Sequence, residues 1–500
     1  MKKITDMKDL CRRQQRPVRV MQYGDGNFLR AFVDYGIDVA NEENGFDSNV
    51  AIIIPTRPHA GNERRKRLFA EQDDYYTVCL RGKKQGQAYK ENRVISCVAG
   101  VYSCYTDYEA YIALAESPEL EFVVSNTTEA GIVYEPSDKL EDKPAEHFPA
   151  KLTQFLYHRF RHFQGAEDKG LVMLPAELID HNGEQLLACV LKYIGLWQLE
   201  DSFKTWVEGA CVFANTMVDR IVPGYPKEEA AAISQELGYE DQLLDQAEPF
   251  GLWVIGTESL KERLPLSTDK LDVVFTDKIE AYKERKVRIL NGAHTSMVLG
   301  AYLAGLDYVG QAMADADVRR QLEQSVYGEL VPTVHLPREE AEAFAGAVFE
   351  RFENPFVKHA LLSISLNSIS KWRARVLPSI KDTLADKAAL PPWLTYSLAA
   401  LLAFYRTTEK GEGCLKARRG QETYEIKDDA DKLDFIAAHA GQATEAYARA
   451  VMEQADWWGE DLTKLPGFFE AVLHNLQRIE AAGARQRIHE LGEEIAKEKG

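Results

Sequence analysis

From Val18 to Phe275 the chain alternates short apolar runs with amphipathic stretches of helical period, and beyond Phe275 the apolar runs stop. The runs are Val18–Tyr23, 50–54, 121–125, 171–174, 210–213, Leu252–Ile255 and Asp272–Phe275. Strands spaced by helices cannot join through tight turns, so each crossover lays the next strand parallel to the last. The pattern predicts an α/β domain with a mainly parallel sheet. One stretch has a different texture: 75–80 and 93–98 flank a glycine-containing loop at 83–86, which predicts an antiparallel excursion. After residue 280 only helical patterns remain, at 283–306, 341–351, 358–370, Pro392–Tyr405 and Phe468–Ala482. The expected organisation is an α/β domain over 1–278 and an all-helical domain over 279–500.

With 500 residues the chain is too long for one hydrophobic core, which agrees with two domains. No apolar run approaches the ~20 residues that span a bilayer, and the polar stretch 1–16 lacks a signal-peptide core. The seven cysteines are scattered and form no C-x2-C pair, so neither a zinc ribbon nor a disulfide framework is expected. A cytoplasmic protein, monomeric or a small homo-oligomer, is the expectation. The net charge of −18 argues against nucleic acid and anionic membrane as partners. It also requires that any acidic substrate be captured by a local cluster of cations. His158 and His162 have metal-ligand spacing, but Arg159 and Arg161 between and beside them oppose a cation, so no metal site is expected.

The first strand runs into Gly24-Asp25-Gly26-Asn27-Phe28-Leu29-Arg30 and then a helical pattern. Glycines at such a junction let the backbone turn sharply and approach a pyrophosphate at the helix N-terminus, the arrangement of a Rossmann-like dinucleotide-binding domain. Leu29 stands where the third glycine of that fingerprint belongs. After the second strand come Pro55, Thr56 and Arg57 rather than an acid. An acid there would bind the ribose hydroxyls of NAD, whereas an arginine can accept the extra phosphate of NADP.

Lys286-x4-Asn291-x2-His294 puts an amine, an amide and an imidazole on one proline-free segment just past the domain join, where a cleft is expected. At about 100° per residue, His294 lies roughly 80° and Asn291 roughly 140° around the helix from Lys286. A lysine serves as general acid/base when burial or neighbouring cations bring its pKa toward neutrality, and Lys283, Arg285 and Arg288 supply such cations in sequence. The same residues can also be a basic helix face turned to solvent.

Four motifs in order resemble the long-chain mannitol dehydrogenases, a family of metal-independent polyol and sugar-acid dehydrogenases. They are Gly24-x-Gly26-x-Phe28-x-Arg30-Ala31, Ser125-Asn-Thr-Thr-Glu129-Ala-Gly131, Asn215-Thr-Met-Val-Asp219-Arg220-Ile and Lys286-x4-Asn291-x2-His294. The resemblance implies cofactor contacts at Gly24, Gly26, Asn27, Phe28, Arg30, Asn126 and Thr127, and Arg57 is a further candidate from its place after the second strand. It implies Lys286 as general acid/base, Asn215 and Asn291 as the pair stabilising the developing alkoxide, and His294 as a substrate contact. Lys371, in Ser370-Lys371-Trp372, falls at a substrate-binding lysine, while Ser363 stands where the mannitol enzymes carry a substrate-contacting arginine. That departure disfavours a simple polyol. The strings 26–34, 125–132, Glu177 to Asp180 with Asn182-Gly183, and 282–287 are most similar to members that interconvert tagaturonate and altronate with NAD. Fructuronate, mannitol and arabinitol are the alternative substrates within the family. A sugar acid needs cations for its carboxylate, and Lys358, Lys371, Arg373 and Arg375 are the candidates on or beside one helical segment.

Overall fold

The computed structural model describes residues 1–128 and 130–499; Glu129 of the second motif lies outside them. The chain divides into two compact units, Met1–Ile279 and Glu280–Gly500.

Unit 1 is built on a six-stranded sheet of β1 (Val18–Tyr23), β2 (Asn49–Ile54), β3 (Val98–Ser103), β4 (Phe122–Ser125), β5 (Val172–Pro175) and β6 (Val212–Phe213). Every pairing is parallel and the spatial order is β3-β2-β1-β4-β5-β6. That is the doubly wound order, in which the chain leaves β1 in opposite directions and opens a crevice at its carboxyl end. The strands read as continuous apolar runs because both faces are covered. Val20, Ile52, Val124 and Leu174 enter one core, with the helical segment 27–43 and with Ala60–Glu71. Met21, Tyr23, Ile53, Val123 and Met173 enter the other, against Phe148–His162, Asn182–Leu196 and Asp201–Gly209. Alternate side chains thus serve opposite cores, each buried aliphatic one contributing about 1.5–3 kcal/mol.

The antiparallel excursion is a hairpin of Tyr76–Lys84 and Gln87–Ile95, longer than expected. Its two-residue turn, Gln85 and Gly86, has positive φ at both positions, as the twist of such hairpins requires. Val98, assigned above to the excursion, belongs instead to β3. Asp245–Ala247 adds to this hairpin, and Thr216–Asp219, Leu252–Ile255 and Asp272–Phe275 form a third small sheet.

Unit 2 is helical, with two departures from expectation. Leu415–Arg419 and Glu422–Ile426 form an antiparallel hairpin, so the domain is helix-rich rather than all-helical. Its inward residues Leu415, Ala417, Tyr424 and Ile426 are buried at alternating positions, with Gly420 at positive φ in the turn. The predicted helix over 358–370 is broken. Leu361–Ile364 is one short helix, Asn367 turns the chain at φ 52°, and Ser368–Arg375 is the next.

Candidate active site

In unit 1 the predicted cofactor residues gather at the carboxyl ends of β1 and β4. Gly24 N–H donates to Ile53 O at 2.8 Å and Asn126 N–H to Tyr23 O at 3.3 Å, which sets the two loops side by side. Gly24 has φ 131°, a conformation that side chains resist, and a Cβ there would lie 2.9 Å from Leu29 Cδ1. Gly26 is the opposite case: a Cβ would meet nothing within 4 Å, so the backbone is open to an approaching group. It precedes the helix at Asn27 and no side chain caps that end, leaving its first N–H groups for an anion. This junction fits a dinucleotide pyrophosphate.

Asp25, buried beside these donors, would repel phosphates, but Arg65 pairs with both its oxygens at 2.5 and 3.2 Å. Arg30 is turned inward, donating to Leu243 O at 2.6 Å and pairing with Asp245 at 3.3 Å. It also holds Asn27 Oδ1 at 2.7 Å, so its link to this edge runs through Asn27. Phe28 stacks on Phe32 with centroids 5.0 Å apart. A cleft of about 380 Å³ beside Asn27 is lined by Arg64, Arg65 and Lys227 among others. Thr127 donates from both N and Oγ1 to Glu177 Oε1, each at 2.9 Å, and Ser125 Oγ donates to Oε2 at 3.0 Å. Burial raises the Glu177 carboxyl despite these donors. Glu177 therefore fixes the loop that follows β4.

Arg57 is exposed and does not stand as an open phosphate receptor. Its Nε donates to Glu146 Oε2 at 2.7 Å, and that hydrogen bond holds the Glu146 carboxyl below its ordinary range. Glu146 lies far away in sequence, and no spacing rule could have found it. Asn215 Oδ1 accepts from Gly183 N–H at 3.0 Å and Glu184 N–H at 3.2 Å, while Nδ2 donates to Glu184 Oε1 at 2.7 Å. The absence of a Cβ at Gly183, which would fall 2.6 Å from Ala214, makes this approach feasible. Asn215 thus caps the helix Asn182–Leu196 and retains one amide hydrogen to donate.

In unit 2 the segment 280–303 is a single helical run with a wide turn inside it. Ile279–Arg285 and Gly292–Leu303 are α-helical, whereas Lys286–Asn291 is π-helical, and Gly292 N–H donates to Val287 O five residues back. The uniform rotation assumed from sequence fails here. The widened turn carries Asn291 less far around the helix from Lys286 than the roughly 140° of uniform rotation. Such bulges cost helix stability and concentrate at functional sites. Lys286 and Asn291 are both half-buried.

The neighbouring cations have partners of their own. Lys283 pairs with Glu280 at 2.9 Å, Arg288 with Glu284 at 2.9 Å and with Asp382, and Arg285 lies over the rings of Tyr282 and Phe344. The His294 ring stacks on Phe352 at 4.1 Å and meets His359 edge-on at 5.3 Å. Its Nε2 is buried without a hydrogen-bond partner. Burial, then His359, Arg351, Arg375 and Lys371, push its pKa well below 6.5, so His294 is a neutral hydrogen-bonding group.

Lys371 Nζ donates to Ile364 O at 2.9 Å. Arg373, two residues on, points to the opposite side, towards Asp456 O at 3.4 Å. Lys358 is exposed ahead of the break at Asn367, and Ser363 Oγ donates to Ala360 O at 2.7 Å.

Residues 18–268 match the mannitol dehydrogenase Rossmann domain, and residues 278–480 match the mannitol dehydrogenase C-terminal domain. The chain belongs to the mannitol dehydrogenase family. Its curated relatives include the altronate oxidoreductase of Escherichia coli O7:K1, 44% identical over 97% of this chain and 100% of that protein. The altronate oxidoreductase of Shigella flexneri is 44% identical over the same shares. Among solved structures, D-sorbitol dehydrogenase in substrate-free form has a TM-score of 0.78 at 19% identity, over 98% of this chain and 100% of that one. Pseudomonas fluorescens mannitol 2-dehydrogenase, in a ternary complex with NAD and D-mannitol, has a TM-score of 0.64 at 19% identity, over 95% and 94%. These structural likenesses establish the shared fold. A Rossmann domain of a dehydrogenase family takes a nicotinamide dinucleotide, and the junction at Gly24 and Gly26 suits one. Glu146 and His359, which sequence reasoning missed, and Glu177, which it placed only in a family string without a role, act through contacts that only the fold creates.

Proposed function

We propose that this member of the mannitol dehydrogenase family is an NAD-dependent altronate oxidoreductase, interconverting altronate and tagaturonate. The observation that carries the reading is full-length identity of 44% to enzymes of that name, spanning both domains. The Lys286, Asn291 and His294 constellation on one π-interrupted helix supports the chemistry.

A nicotinamide dinucleotide, when bound, would supply a hydride to the ketone carbon. As that carbon–hydrogen bond forms, the carbonyl electron pair moves onto oxygen, and Lys286 gives this oxygen a proton from Nζ. Asn291, on the same widened turn as Lys286, donates to the same oxygen. Fixed donors of this kind stabilise charge where it develops, and no metal is needed. Neutral His294 hydrogen-bonds a neighbouring hydroxyl, and Lys371 contributes positive charge to substrate binding. Gly24, Gly26, Asn27, Asn126 and Thr127 hold the dinucleotide.

The Arg57–Glu146 pair supports NAD over NADP, because an arginine already neutralised is a poor phosphate receptor. Replacing Glu146 by alanine is expected to raise the NADPH-to-NADH ratio of kcat/KM by about tenfold, roughly what one freed cation gains on a phosphate. An unchanged ratio would place Arg57 outside the cofactor site. Among the described residues no helix is long and apolar enough to cross a membrane. The seven cysteines are free, which supports a reducing, cytoplasmic setting. Altronate-dependent reduction of NAD by the purified protein tests the function; reduction with mannitol but not altronate would overturn it.

A further inference from the structure

The helix Ser368–Arg375 carries Lys371 and Arg375 four residues apart, and such pairs share one helix face. That face packs on the start of Gly292–Leu303. Arg375 NH1 reaches Thr295 Oγ1 at 3.4 Å, and Gly292 lies so close to Arg375 that a Cβ would sit 3.1 Å from its carbonyl oxygen. Thr295 follows His294, whose buried Nε2 has no hydrogen-bond partner. The cluster therefore abuts a residue already assigned to the substrate.

Its charge is uncompensated. Arg375 is half-buried, and among the described residues it forms no ion pair; its one side-chain hydrogen bond, to Thr295, is long. Burial lowers the Arg375 guanidinium below its ordinary value with no carboxylate to offset it. Lys371 is lowered by burial and then by Arg375, while Asp428 acts the other way. Asp428 is already engaged: it accepts from Tyr405 Oη at 2.7 Å and from Ile369 N–H at 3.3 Å, and lies 3.7 Å from Lys432 Nζ. Lys371 Nζ spends one hydrogen on the carbonyl of Ile364, which aims the ammonium and leaves two to donate. Two half-buried cations without a counterion cost free energy that a bound anion recovers, and a guanidinium fork matches a carboxylate at both oxygens.

We propose that Arg375, acting with Lys371, is the receptor for the carboxylate of the sugar-acid substrate, a role that rests on the functional reading above. Arg375 distinguishes a keto-hexuronate from a keto-hexose of the same stereochemistry, leaving the reacting ketone to Lys286 and Asn291. Arg373 and Lys358 take no part.

The test compares tagaturonate with tagatose, which bears a hydroxymethyl in place of the carboxylate, for the wild type, Arg375→Gln and Arg375→Lys. The wild type is expected to prefer tagaturonate. Arg375→Gln should raise KM for tagaturonate about 100-fold while changing kcat/KM for tagatose less than threefold, so that the preference collapses. Arg375→Lys keeps the charge without the fork, and should retain an intermediate preference and the wild-type melting temperature. Equal losses on both substrates, in Arg375→Gln and Arg375→Lys alike, would make Arg375 a strut for Thr295 and overturn the receptor. So would a preference that survives in Arg375→Gln while the wild type demands the carboxylate. A wild type indifferent to the carboxylate would overturn the functional reading, and the receptor with it.

Discussion

Replacing Lys286 by alanine is expected to lower kcat for ketone reduction about a thousandfold, with KM for NADH unchanged. A positioned general acid contributes about 10²–10⁴-fold, and Lys286, on the π-helical turn, is the proposed proton donor. Asn291 remains in the variant, so the loss should stay below that of removing the whole site. Lys286→Arg separates charge from proton transfer. It keeps a cation, but a guanidinium does not release its proton near neutrality, so most of the rate should still be lost. Added methylamine should restore part of the rate in Lys286→Ala and none in Lys286→Arg, where the side chain fills the space. Loss of NADH binding in the alanine variant would show that Lys286 serves structure instead.

The second large effect is on stability. Asp34 lies fully buried on the π-helical stretch Arg30–Asp34, accepting from Tyr76 Oη at 2.7 Å and from Gln22 Nε2 at 3.4 Å. Burial outweighs those donors and the nearby Arg30, raising its pKa from 3.8 to about 7. Between these two values the folded chain binds more protons than the unfolded one. Stability therefore falls as pH rises through that window, and the loss is complete above about pH 7. A shift of about three units corresponds to roughly 4 kcal/mol. Asp34→Asn removes this titration but places an amide hydrogen where Oδ1 now has no partner, costing about 1–3 kcal/mol. The variant should be less stable than wild type at pH 4 and more stable at pH 8, by about 1–3 kcal/mol at each end. Hydrogen exchange of β1 and β2 across a denaturant series, which reports on unit 1, should show this reversal. A change of the same sign at both pH values would contradict it. Asp245, also raised to about 7 by burial despite Arg30, keeps a residual slope of the same sign in the variant.

The strands were legible because they are apolar and bounded by breaks; Val18–Tyr23 of the six-stranded sheet, and Leu252–Ile255 and Asp272–Phe275 of the small separate one, end where the sequence pattern ends. Pro392–Tyr405 and Phe468–Ala482 were equally plain. The π-helical turn at Lys286–Asn291 was not, since periodicity assumes a constant rotation per residue and its side chains carry no sign of a widened hydrogen bond. The hairpin Leu415–Arg419 and Glu422–Ile426 did leave a signal, alternating burial about a Gly-Gln turn, which the surrounding helices obscured. The break at Asn367 decided the cations. The sequence singled out Lys371 through the resemblance and left Lys358, Arg373 and Arg375 unresolved, whereas the observed helix turns Arg373 away and leaves Lys371 and Arg375 on one face. Glu146 beside Arg57 was beyond reach, because pairs so far apart in sequence are set by topology rather than spacing.

The most direct measurement is NADH oxidation by the purified protein with tagaturonate, fructuronate and fructose, each repeated with NADPH. The account predicts turnover of tagaturonate with NADH at a kcat/KM at least about 100-fold above that of fructose, the discrimination expected of a site built around a charged group. Faster turnover of fructose, or of any of the three with NADPH in preference to NADH, would contradict it.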